Sequence, residues 1–135
     1  MDLDSLWAKA LVLPLPMSVN SLYQWGRRGH VYKHPDAVRW TQAARVKARA
    51  WRRQTGWTPT HQQKVVAWVR TFWPDEARRD THNLYKVLWD ALEGVLYDDD
   101  YWVLVRQADF AIDPQDPRIE ISFQLYGIQE DDAHD

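Results

Sequence analysis

The stretch Arg78-Arg-Asp-Thr-His-Asn-Leu-Tyr-Lys-Val-Leu-Trp-Asp-Ala-Leu-Glu-Gly-Val-Leu-Tyr-Asp-Asp-Asp100 decides the reading of this chain, because it joins one amphipathic helix to a run of carboxylates. Asp80 stands where a helix N-cap is needed, and Leu84, Leu88 and Leu92 then recur at every fourth position. Val87 and Ala91 widen that apolar stripe, and Gly94 supplies the stop. On the flank, His82, Lys86 and Asp90 stand one above another, with Asn83 and Tyr85 beside them. Beyond Gly94 the chain turns through Asp98, Asp99 and Asp100 into a β-favouring run from Tyr101 to Val105. A short return would carry these carboxylates back towards Asp80 and His82.

Carboxylates gathered from a helix start and a strand start repel one another, so such a cluster calls for a divalent cation or for protonation. Oxygen ligands with one imidazole suit Mg²⁺ or Mn²⁺, ions that activate water and hold phosphate. A structural reading of the same residues stands beside this one. In it Asp80 is a plain N-cap, His82 a partly buried helix residue, and Asp98 to Asp100 a polar turn.

The segment from Arg79 to Lys86, the later Asp90-Ala-Leu-Glu-Gly-Val-Leu-Tyr-Asp-Asp-Asp100 and Val103 together resemble the core motif of the RusA-type Holliday junction resolvases. So does Leu13-Pro-Leu-Pro-Met-Ser-Val-Asn20, which is similar to the family's strand-ending Pro-x-Ser-x-Asn element. The likeness runs from about residue 11 to the strand near Phe123. It implies an α+β domain with a mixed β-sheet and two main helices, acting as a homodimer on branched DNA, four-way junctions above all. It also implies that Asp80, Lys86 and Asp100 are catalytic, with Asp80, Asp99 and Asp100 at the metal and Asn20, Asn83 and Asp90 in support. His82 departs from the pattern, standing where the family has a second aspartate. An imidazole there implies either a nuclease that favours Mn²⁺ over Mg²⁺ and loses activity in acid, or a junction-binding protein with weakened or lost catalysis.

Composition bounds the rest. At 135 residues and 45% hydrophobic content the chain is one domain's worth, expected over 1–127, with 128–135 an unstructured acidic tail. The absence of cysteine excludes disulfides, zinc-thiolate sites and thiol nucleophiles. No apolar run approaches the roughly 20 residues a bilayer requires, so a cytoplasmic protein without membrane contact is expected. Net charge is −2, yet residues 1–70 hold 12 of the 17 Lys and Arg with 3 of the 19 acids, a net +9, and the remainder carries −11. A basic half for phosphates and an acidic half for metal suit a nuclease; a compact fold could also interleave the two until they cancel.

In chain order, Trp7 to Pro14 reads as a strand ended by Pro14 and Pro16, with Asn20 in the loop that follows, either as an active-site contact or as a turn residue. Tyr23 to Lys33 mixes aromatic and basic residues around Gly26 and Gly29, a loop or hairpin whose Arg27, Arg28 and Lys33 could meet phosphates. A helix from Pro35 to about Arg53 carries a core stripe of Ala37, Trp40, Ala44, Ala48 and Trp51. Arg45, Arg49, Arg52 and Arg53 line a different face with no acid between Asp36 and Arg53, a face fit for the DNA backbone, and Arg78 and Arg79 add two cations before Asp80. Lys64 to Trp73 is apolar on both faces and so a central strand. Tyr101 to Ile112 and Arg118 to Tyr126 read as an antiparallel hairpin around Asp113 to Pro117.

Overall fold

The computed structural model describes residues 3–16, 23–25, 31–33, 35–77 and 81–127. The elements run α1 (Leu3–Ala8), β1 (Leu11–Pro14), β2 (Tyr23–Trp25), β3 (Val31–Lys33), α2 (Pro35–Thr55), β4 (Val65–Trp73), α3 (Thr81–Leu92), β5 (Val103–Ile112) and β6 (Arg118–Leu125). The fold is α+β, as expected, with a four-stranded mixed sheet in the order β1-β6-β4-β5 and a separate β2–β3 ribbon.

The alternation of β4 places it inside the sheet. Val65, Ala67, Val69, Thr71 and Trp73 are buried on one face, and the residues between them are half-buried on the other. It pairs parallel with β5 and antiparallel with β6. A parallel pair needs a crossover, and α3 supplies it. All five residues of the predicted α2 stripe are buried, as are Leu84, Val87, Leu88, Trp89, Ala91 and Leu92 of α3. The α2 indoles also complete hydrogen bonds at either side of β1: Trp40 Nε1 donates to the Pro14 carbonyl and Trp51 Nε1 to the Lys9 carbonyl, both at 2.7 Å.

Three expectations are corrected. The strand expected from Trp7 to Pro14 begins only at Leu11, and Trp7 and Ala8 belong to the helix α1, which makes three α-helices among the described residues beside the two main ones expected. A strand would send Leu6 and Trp7 to opposite faces; the helical turn instead buries Leu6 and lays the Trp7 ring 4.3 Å below the Arg70 guanidinium. The expected hairpin of β5 with β6 is also absent, because β4 lies between them. The Asp113 N–H donates to the Trp73 carbonyl at 2.7 Å, so the connection crosses the end of β4. Two strand spacings, about 10 Å, are within the reach of five residues, and β4, apolar on both faces, is covered best between two neighbours. Arg118 fixes the crossing through Asp113 (2.9 Å) and Glu120 (2.7 Å). Residues 128–135, the expected tail, lie outside the described residues.

Candidate active site

The geometry of the site begins at the C-terminal end of α3. Gly94 sits at φ +82°, the left-handed conformation that ends a helix, and the N–H groups of Val95 and Leu96 both return to the Leu92 carbonyl at 3.0 Å. The last carbonyls of a helix have no partner of their own, and here α2 supplies one. Arg45 Nη1 donates to the Ala91 carbonyl (2.9 Å) and the Glu93 carbonyl (2.8 Å), and Arg52 Nη1 donates to the Val95 carbonyl (2.9 Å). From below, the buried Tyr97 hydroxyl donates to the Trp89 carbonyl at 2.6 Å. The turn from Glu93 to Tyr97 is thus held from both sides before the acidic run begins.

Asp99 then caps a single 3-10 turn, Asp100–Trp102, its Oδ1 accepting the Tyr101 N–H at 2.9 Å. Glu93 reaches forward, and its Oε1 accepts the Asp100 N–H at 2.9 Å. These local bonds bring one carboxylate oxygen each of Glu93, Asp99 and Asp100 within 4.8 Å of one another. The electrostatics record the crowding. Partial burial, then the charges of Glu93, Asp90 and Asp99 and a hydrogen bond with Asp99, raise the Asp100 carboxyl above the usual carboxylate range. Burial pushes the Tyr97 phenol up as well, helped by Asp100, Glu93 and Asp90. Three hard oxygen donors at this spacing fit a divalent ion such as Mg²⁺ or Mn²⁺, whose charge would offset the repulsion that the chain leaves standing.

The structure brings together only part of the expected site. Asp99 and Asp100 meet, and half-buried Asp90 contributes charge beside them. Asp98 does not join: its Oδ2 accepts the Gln62 N–H at 2.9 Å and lies 3.0 Å from His61 Nδ1, tying down the loop before β4. His82 does not join either. It is exposed at the N-terminal end of α3, whose 12 residues span about 18 Å, and the carboxylates stand beyond the other end. The expected return to His82 is therefore not made within one chain. The parallel pairing is the reason, since β5 must start beside the start of β4, with Val103 opposite Val65, and α3 has to run the full length of the sheet to reach it. Near His82 lies a cleft lined by Thr71, Trp73, Ala77, Thr81, Gln107 and Phe110. Lys86 is exposed between the two ends and Asn83 is half-buried. Asn20, Arg27, Arg28, Arg78, Arg79 and Asp80 fall outside the described residues, and of Lys33 only the backbone is described.

Two functional features escaped the sequence reading. Glu93 is a member of the trio, and its spacing three residues after Asp90 continues the line of His82, Lys86 and Asp90, a signal that was available. The basic face of α2 is divided: Arg45 and Arg52 are half-buried and brace the end of α3, whereas Arg49 and Arg53 stay exposed and available to phosphates. Helical spacing puts these four residues on neighbouring faces and does not tell which of them a second helix will claim.

With this geometry in view, comparison with known proteins adds one positive finding. The family model described as endodeoxyribonuclease RusA matches residues 14–124, which run from the last residue of β1 through the basic helix α2, all of α3 and the carboxylate trio. No match to a curated protein reaches significance.

Proposed function

Since the chain belongs to the RusA endodeoxyribonuclease family, we propose that it is a metal-dependent nuclease that cuts branched DNA, four-way junctions above all, with its ion at Glu93, Asp99 and Asp100. The observation that carries this reading is the trio itself, three carboxylates on a braced turn within the matched region. A divalent ion bound there supplies an activated water and neutralises charge on a backbone phosphate. The chain's own groups do the rest. The Asp100 carboxyl, raised by partial burial and then by its acidic neighbours, holds a proton more readily than an ordinary aspartate and exchanges it for the cation on binding. Glu93 keeps Asp100 in place through its backbone N–H. Lys86, on the exposed flank of α3, is the cation for the phosphate, and Arg49 and Arg53 track the backbone away from the cut.

A symmetric junction needs paired nicks, and a two-fold homodimer presents two identical sites. No helix among the described residues is long and apolar enough to cross a membrane, and we assign the activity to the cytoplasm, where its DNA is.

The test is a nicking assay on a synthetic four-way junction beside a linear duplex, in Mg²⁺ and in Mn²⁺. Cutting confined to the junction and abolished by Glu93→Gln with Asp99→Asn is the expected result; equal cutting of both substrates, or none with either ion, refutes the assignment. The imidazole at position 82 favours a second reading, a junction-binding protein with weakened catalysis. Under that reading the wild type binds junctions without cutting them and His82→Asp gains scission.

A further inference from the structure

Strand β5 is ten residues long, and among the described residues its only strand neighbour is β4. A long strand edge that exposes large apolar side chains is a liability unless something pairs with it or shields it. This one exposes Phe110 to 66% and Ile112 to 46%.

We propose that β5 is a self-complementary edge that pairs antiparallel with β5 of a second copy of this chain, joining two four-stranded sheets into one. The argument rests on a bulge. Val69 lies opposite Gln107 and Arg70 opposite Asp109, so Ala108 is an extra residue. Opposed residues share a face of the sheet, which places Val103, Val105, Gln107, Phe110 and Ile112 on the face of Val65 and Trp73. Leu104, Arg106, Asp109 and Ala111 then occupy the other face, with Val66 and Phe72.

A two-fold axis normal to the sheet, between Gln107 and Ala108, sets Val103 opposite Ile112 of the second copy. It sets Leu104 opposite Ala111, Val105 opposite Phe110 and Arg106 opposite Asp109, each pair occurring twice. Every one of these pairs is separated by an odd number of residues in sequence, so in a regular strand its members would point to opposite faces. The extra residue at Ala108 brings each pair onto one face.

Charge agrees with geometry. Arg106 and Asp109 are both exposed, and within the chain Arg106 reaches the carbonyl of its neighbour Val105 (3.3 Å) while Asp109 takes the N–H of Phe110 (2.8 Å). Charges that merely shield an edge repel a second copy, whereas these two are opposite in sign and symmetric about the axis. This pairing deepens the two-copy reading above and does not depend on the cutting reaction.

The experiment is sedimentation velocity on the full chain over a concentration series at low salt. A wild-type dimer is expected. Arg106→Asp and Asp109→Arg should each weaken it about 30-fold, because both cross-strand pairs become like-charged, and the double variant R106D/D109R should recover it. A dimer indifferent to both single reversals, or a double variant as weak as the singles, overturns the β5 edge and leaves the two-copy reading standing; a wild type that stays monomeric overturns both. Because the chain has no cysteine, a mixture of Gln107→Cys and Ala108→Cys chains offers a second measurement should a reversal fail to fold. A disulfide-linked mixed dimer under mild oxidation is expected, and its absence counts against the register.

Discussion

Replacing Arg45 by Met tests the brace at the end of α3. Met keeps the apolar stem and removes the guanidinium, so the change isolates two hydrogen bonds, to the Ala91 carbonyl at 2.9 Å and the Glu93 carbonyl at 2.8 Å. Each bond from a charged donor contributes about 1.5–3 kcal/mol net. Arg45 is half-buried, and water can reach part of the vacated space, which favours the low end of that range and gives about 3 kcal/mol for the two. That is roughly a hundredfold in the folding equilibrium, and for a domain of this size a melting temperature about 10 °C lower. Lys in place of Arg, with its point charge and shorter reach, should recover less than half. Urea unfolding followed by fluorescence of the nine tryptophans measures the loss, and the slope against urea should not change. Arg49→Met, on the exposed face, is the control and should stay within about 0.5 kcal/mol of wild type. A loss below about 1 kcal/mol for Arg45→Met at an unchanged slope would refute the brace and return Arg45 to the phosphate-binding face.

Other expectations follow from the same geometry. Arg49→Ala with Arg53→Ala should flatten the salt dependence of junction binding by about 1.8 in log-log slope if both residues touch phosphate; an unchanged slope assigns them to solvation. A carboxyl raised in the fold adds stability below its unfolded pKa and loses it as pH climbs through the folded value. Metal-free Asp100→Asn should therefore melt above wild type at pH 7 and level with it near about pH 3, and a lower melting point at pH 7 contradicts the crowding of the trio. Glu93→Gln should weaken Mn²⁺ binding by about tenfold or more in calorimetric titration, and superimposable isotherms would remove Glu93 from the metal site. For His82→Asp, the carboxylate-only trio predicts metal titrations that coincide with wild type, whereas improved Mg²⁺ performance would bring the position 82 side chain to the ion.

Much of the fold is legible in residue order, because periodicity is a local property. The stripe of Ala37, Trp40, Ala44, Ala48 and Trp51, the leucines of α3 and the stop at Gly94 all stand as spacing foretells. The interior position of β4 follows in the same way from apolar residues on both of its faces. Local also are the caps that bind Asp99 to Tyr101 and Glu93 to Asp100, which is why an acidic cluster was to be looked for between Arg78 and Asp100. Strand order is not local. A five-residue connection suits a hairpin as well as a step across a third strand, and the choice rests on what covers β4.

The same distinction divides the site. The identities and spacings of the carboxylates belong to the chain alone, as does the helix that leads to them. Which end of that helix they occupy depends on β5 lying parallel to β4, a pairing between strands 38 positions apart that obliges α3 to run the length of the sheet and parts His82 from Asp100. In the same way, only packing decided that Arg45 and Arg52 turn inward to carbonyls at the end of α3 and in the turn after it while Arg49 and Arg53 remain exposed. A helix end with orphan acceptors attracts whichever cation the neighbouring helix presents, and that neighbour is chosen by the tertiary fold.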